Sequence, residues 1–114
     1  MMLVAFRSKL TSAARDDYAR MAAAMEAHAR TFPGFVDVKD YLAADGERLT
    51  LVWWADADTL RVWATDQRHR AAQATGRDRW YEYYKIEVAE ITRVSDFQRS
   101  ADGIGVSENR SAGV

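Results

Sequence analysis

A chain of 114 residues that is 48% hydrophobic and 29% charged is the size of a single folded domain, and too apolar for a disordered segment. Its 16 basic and 17 acidic side chains leave a net charge of −1, which supplies no field for nucleic acid. Having no cysteine, it has no disulfide, thiolate nucleophile, iron–sulfur cluster or cysteine zinc site, and the apolar start MMLVAF meets Arg7 and Lys9 too soon for a signal peptide or membrane span. The expectation is a cytoplasmic protein without membrane or nucleic-acid partners.

Residues 2–8 form a short apolar run that reads as a strand. Thr11 or Ser12 is placed to cap the helix that follows, with Asp16 and Asp17 in its first turn. That helix spans residues 13–31 and repeats Tyr18, Met21, Ala22, Met25, Ala29 and Phe32 on one stripe until Pro33-Gly34 stops it. Residues 35–43 read as a second strand, Asp45-Gly46 as a hairpin turn, and Arg48 to Trp54 as a third strand. Asp56 or Asp58 caps a second helix through Trp63. Residues 67–75 make a third helical segment with Gly76 as its stop, and residues 80–94 are the last strand.

Strand, helix, hairpin, helical pair and strand make an α+β chain, a ferredoxin-like βαββαβ sandwich with an antiparallel four-stranded sheet. The strands do not alternate apolar with polar. Leu49, Leu51 and Trp53 face one way and Val52 and Trp54 the other, while Leu3 and Ala5 oppose Val4 and Phe6. Both sheet faces call for cover, and one chain has helices for only one of them. A second copy packed sheet to sheet meets that need, so a homodimer is expected. The domain covers residues 1–97; residues 98–114, rich in glycine and serine, read as a tail that is either mobile or laid across the partner.

The stretch from Trp63 to Phe97 concentrates the chemistry, holding one of two histidines, two of four tryptophans and three of five tyrosines. The two histidines lie in different elements with no carboxylate at facial-triad spacing, which argues against a metal centre. The VWW end of the third strand, the helix with Trp63, the HRAAQATGR segment and the WYEYYKIEVAEI strand, in this order, resemble the antibiotic biosynthesis monooxygenase family. The resemblance covers residues 2–97. It implies a dimeric α/β barrel with a pocket between helices and sheet in each subunit, and activities that range from cofactor-independent oxygenation of polyketide phenols to haem degradation. Of the positions that serve haem-degrading members, the tryptophan falls on Trp63, but the asparagine falls on Arg7 and the ligating histidine on Gln73. Of those in the polyketide oxygenases, the tryptophan is matched by Trp54, while the tyrosine falls on Leu60 and the asparagine on Thr50.

His69 is the candidate general base, a task suited to an imidazole near neutral pH; its plainer reading is a surface histidine bonded to Asp66. Arg7 is a candidate to hold an oxyanion, or else a strand-end arginine in water. Trp54, Trp63 and Trp80 suit the walls of a slot for a planar ligand, with indole N–H groups as orienting donors, or are core. Gln73 shares the face of His69, and Tyr84 is the tyrosine of its cluster nearest the expected cavity. The sequence therefore predicts a cofactor-independent monooxygenase, with His69, Arg7 and Trp63 as catalytic residues, acting with O2 on a small planar phenolic or quinol substrate and holding no metal. A haem-binding or haem-degrading oxygenase and a non-catalytic dimeric binding protein are the alternatives.

Overall fold

The computed structural model describes residues 1–14, 16–99 and, by backbone alone, 106–109. Its elements are β1 Met2–Leu10, α1 Asp16–Arg30, β2 Phe35–Leu42, β3 Arg48–Trp54, α2 Ala57–Ala64, α3 Gln67–Arg79, β4 Tyr81–Glu90, β5 Asp96–Arg99 and β6 Val106–Asn109. β1 to β4 form an antiparallel four-stranded sheet in the order β2-β3-β1-β4, the ferredoxin-like arrangement that the order of elements predicts.

Strand parity sorts the side chains. Even-numbered residues of the sheet face the helices, and their register builds a floor in rows. Val38, Val52, Val4 and Val88 cross the four strands as one apolar row; Asp40, Thr50, Phe6 and Ile86 form the next; Leu42, Arg48, Ser8 and Tyr84 the one after. The α1 stripe covers this floor through Tyr18, Met21, Ala22, Met25 and Ala29. Odd-numbered residues make the opposite face, where Leu3, Ala5, Leu49, Leu51 and Trp53 stay partly exposed. A hollow of about 470 Å³ on that face is lined only by sheet and hairpin residues, including Ala5, Leu49 and Leu51.

Local chemistry fixes the corners. Gly46, at φ +92°, turns the hairpin between β2 and β3, with Gly46 N–H donating to the Ala43 carbonyl at 3.0 Å. Gly34, at φ +86°, lies where any Cβ would run into Thr59 of α2. Asp56 caps α2 by accepting the Thr59 N–H at 2.8 Å, which holds its carboxyl below the ordinary range.

Four expectations need correction. Gly76 does not stop α3: it is buried inside the helix, which runs on to Arg79, and a Cβ there would overlap the Tyr81 ring. Thr11 does not cap α1, which begins five residues later at Asp16; its hydroxyl donates to the Arg79 carbonyl at 3.1 Å, at the end of α3. The last strand of the sheet stops at Glu90, and a separate strand, β5, follows from Asp96. The proposed domain boundary at residue 97 falls inside β5, which pairs antiparallel with β6 in the stretch read as a tail. Residues 100–105 and 110–114 of that stretch lie outside the described residues.

Among the described residues only Ala29, Trp54 and Trp80 are buried apolar side chains. The packing is thin because the interior between helices and sheet is open space.

Candidate functional site

That space is a cavity of about 610 Å³ bounded by the even-numbered floor, α1, α2 and α3. It opens along β4, where Ile86 and Val88 remain 42% and 55% exposed despite facing the helix side. One end is an aromatic wall. The His69 imidazole stacks on Trp63 at 4.4 Å and 21°, and Trp63 stacks in turn on Trp54 at 6.0 Å and 27°. Trp54 is held by its position at the end of β3 and is 0% exposed.

The corner between α2 and α3 orients His69. Asp66 caps α3 by accepting the His69 backbone N–H at 2.9 Å, and this bond is the main reason its carboxyl titrates below the ordinary range. His28 of α1 adds a second donor, with Nε2 3.0 Å from the same carboxylate oxygen. The His69 ring lies with Nδ1 3.2 Å from the Trp63 carbonyl oxygen. A carbonyl only accepts, so Nδ1 carries the proton and Nε2 keeps its lone pair. No protein group among the described residues bonds Nε2, and burial lowers the imidazole pKa, an effect the Trp63 carbonyl only partly opposes. The ring is thus a neutral base with a fixed tautomer on the wall of an apolar cavity. Asp66 does partner His69, but through the backbone N–H rather than the ring.

Trp54, Trp63, Gln73 and Trp80 line the same cavity. Their polar groups differ in what they can offer. The Trp80 N–H is already donated to Asp17 at 3.0 Å, so it is not an orienting donor for ligand. The Trp54 N–H is buried without an acceptor, a state that costs about 1–3 kcal/mol, and with the side chain 0% exposed it is not open to a ligand. Tyr84 is not a lining residue: it stacks on Phe6 at 5.3 Å, and its hydroxyl accepts from Arg77 at 2.8 Å. Tyr81 takes its place at the cavity, with a phenol that burial keeps protonated well above the ordinary range.

Arg7 is on the wrong side. It shares the parity of Leu3 and Ala5, lies on the opposite face of the sheet, and is held by Glu47 at 3.0 Å and Glu87 at 3.7 Å. The cation that does line the cavity is Arg48, in company with Asp40 and Thr50, whose hydroxyl donates to Asp40 at 2.5 Å. Parity was the available signal, since Arg48 is in step with Thr50, Val52 and Trp54. Among the described residues no group of three His, Cys, Asp or Glu side chains is placed to hold a metal, and no helix is long and apolar enough to cross a membrane.

Comparison with known proteins gives these features a family. No family model matches the chain. An uncharacterised protein of Bacillus subtilis, YqjZ, is 34% identical over 85 residues, which are 75% of each chain. The jasmonate monooxygenase ABM of Pyricularia oryzae is 30% identical over 94 residues, 81% of this chain but 44% of that longer protein. Among solved structures, SnoaB, a cofactor-independent oxygenase from Streptomyces nogalater, superposes with a TM-score of 0.68 at 15% identity over 82% of this chain and 94% of its own. The chain belongs to the antibiotic biosynthesis monooxygenase (ABM) domain family.

The ABM assignment sharpens the question of haem. Gln73 stands at the position matched to the haem ligand, and an amide is a poor iron ligand. Arg7, at the position matched to the asparagine, is on the far side of the sheet from the cavity. Two of the three positions of the haem-degrading arrangement are therefore not kept, and His69, one helical turn before Gln73 in the same cavity, would serve as ligand only to a haem that is shifted or tilted.

Proposed function

We propose that this ABM domain is a homodimeric monooxygenase that oxidises a planar phenolic or quinol-like substrate with O2 in the helix–sheet cavity, using the substrate itself as reductant. The observation that carries this reading is the His69 imidazole, with its Nδ1 proton committed to the Trp63 carbonyl and its Nε2 lone pair open at the aromatic wall. A positioned base removes the phenolic or enolic proton; the electron-rich anion that results gives electrons to O2. The balanced outcome at an activated ring methylene is a carbonyl and one water: the carbon is oxidised by four electrons, one oxygen atom stays on it, and the other leaves with the two hydrogens. No external electron donor enters this balance.

The other side chains serve the anion. Trp63, backed by the buried Trp54, and His69 bound the water-poor end of the cavity, and the Gln73 amide lines the same cavity as a donor for a developing oxyanion. Dimerisation is supported by the uncovered odd-numbered face of β1 and β3, whose apolar centre a second copy would bury.

Oxygen consumption tests the reading, using anthrones, quinols and flavonoid-like phenols with protein free of added metal or flavin. Uptake of one O2 per product on at least one member is the expected result. No uptake on any member of a broad panel would favour the non-catalytic dimeric binding protein, which keeps the same cavity.

A further inference from the structure

The cavity floor changes character along its length. Trp54 and Arg48 are both on β3 and six residues apart, about 20 Å at the rise of an extended strand. The Trp54 end is apolar and carries the neutral base. The valine row follows, and then the charged groups, Asp40 and Arg48, appear at the other end.

Arg48 is the only arginine or lysine lining the cavity among the described residues. Its guanidinium carbon sits 5.8 Å from the centroid of the Tyr18 ring on α1, so the side chain reaches from the sheet to the helix layer. Stacking on a ring face leaves the in-plane N–H edge of the fork available. Among the described residues the Arg48 side chain has no hydrogen bond or ion pair. Both carboxylates that share the cavity are engaged elsewhere: Asp40 accepts the Thr50 hydroxyl, and Glu26 lies 3.7 Å from Arg30.

We infer that Arg48 binds the anionic head group of an elongated, mostly apolar ligand whose other end lies against the Trp54 and His69 wall. The substrate class is thereby narrowed to acids, molecules carrying a carboxylate or sulfonate remote from the reacting ring. Two oxygens of the carboxylate or sulfonate pair bidentately with the guanidinium edge, and the apolar body crosses the valine row. Asp40, diagonal to Arg48 across β2 and β3, opposes an anion and sets an upper limit on its affinity. This inference rests on the cavity being the substrate site, but not on any chemistry there.

Two fluorescent probes that differ by one sulfonate test it: 1-anilinonaphthalene-8-sulfonate and neutral N-phenyl-1-naphthylamine, titrated into the full-length protein. Each should displace the other from the wild type. Arg48→Gln should weaken the sulfonate about tenfold, the size of a lost charge-assisted pair, and leave the neutral probe unchanged. Arg48→Lys should fall between, and Asp40→Asn should tighten the sulfonate alone. Equal loss of both probes in Arg48→Gln, no loss of either, weaker sulfonate binding in Asp40→Asn, or no sulfonate binding by the wild type would each overturn the assignment. Because binding is read without turnover, an inactive protein that passes this test would defeat the proposed oxygenation and leave the anion site standing.

Discussion

Replacing Gly76 by alanine sets two effects of opposite sign against each other, and the structure decides between them. Within α3 the change favours the helix by about 0.8–1 kcal/mol, since alanine is the better helix former. Against it, a Cβ on Gly76 would overlap Tyr81 Cε2 and stand 2.8 Å from Cδ2. That ring cannot swing freely, because Phe6 at 5.6 Å, Tyr18 at 5.9 Å and Tyr84 at 5.6 Å surround it. Forcing an extra carbon into such a contact costs about 1–3 kcal/mol. The net effect is a destabilisation of about 1 kcal/mol, and thermal unfolding followed by circular dichroism should show Tm lower by about 4 °C. In a Tyr81→Ala background the obstacle is gone, and Gly76→Ala should raise Tm by a similar amount. A rise in Tm in the wild-type background would refute the close-approach reasoning.

Burial lowers the His69 pKa below its ordinary value of 6.5, so kcat/KM should climb with pH along a limb below 6.5 and level off above it, and the residual rate of His69→Ala should lack that limb. The same depression means that the unfolded chain binds this proton more readily. The stability it contributes is full above pH 6.5 and falls as pH drops toward the folded value, a component that His69→Ala should lose in denaturant titrations at pH 5 and 7. Sedimentation at micromolar concentration should show a dimer, and Leu51→Glu, at the centre of the uncovered face, should shift it to monomer and lower Tm together; a well-folded wild-type monomer would contradict the pairing of sheets. Haemin titration should give no sharp one-to-one Soret spectrum, and a stoichiometric band abolished by His69→Ala would restore the haem-binding alternative.

The fold was legible because it rests on period and punctuation. The α1 stripe, the Asp45-Gly46 turn and the opposed faces of β1 and β3 are local patterns, and each is found where the residues predict it. Gly76 was misread for a physical reason: a glycine near a helix end fits a stop as well as a close approach, and only the position of Tyr81 separates the two. The site was legible in part. Trp54, Trp63, Gln73, Trp80 and His69 converge on one cavity, yet the Arg7 assignment neglected the parity that sets it beside Ala5 on the other face. The bond from His28 to Asp66 joins residues 38 apart in the chain, and no spacing rule reveals it. The same holds for the Trp80 to Asp17 bond, which removes an indole donor that composition alone offers to ligand.

The central claim is that His69 acts as a base on bound substrate, and the most direct measurement is kcat/KM for O2 uptake by wild type and His69→Ala on the best substrate of the phenol panel. The account predicts a loss of about 10²–10⁴ in the variant, with unchanged dimer mass and unchanged affinity for N-phenyl-1-naphthylamine. Equal kcat/KM in the two proteins would contradict it.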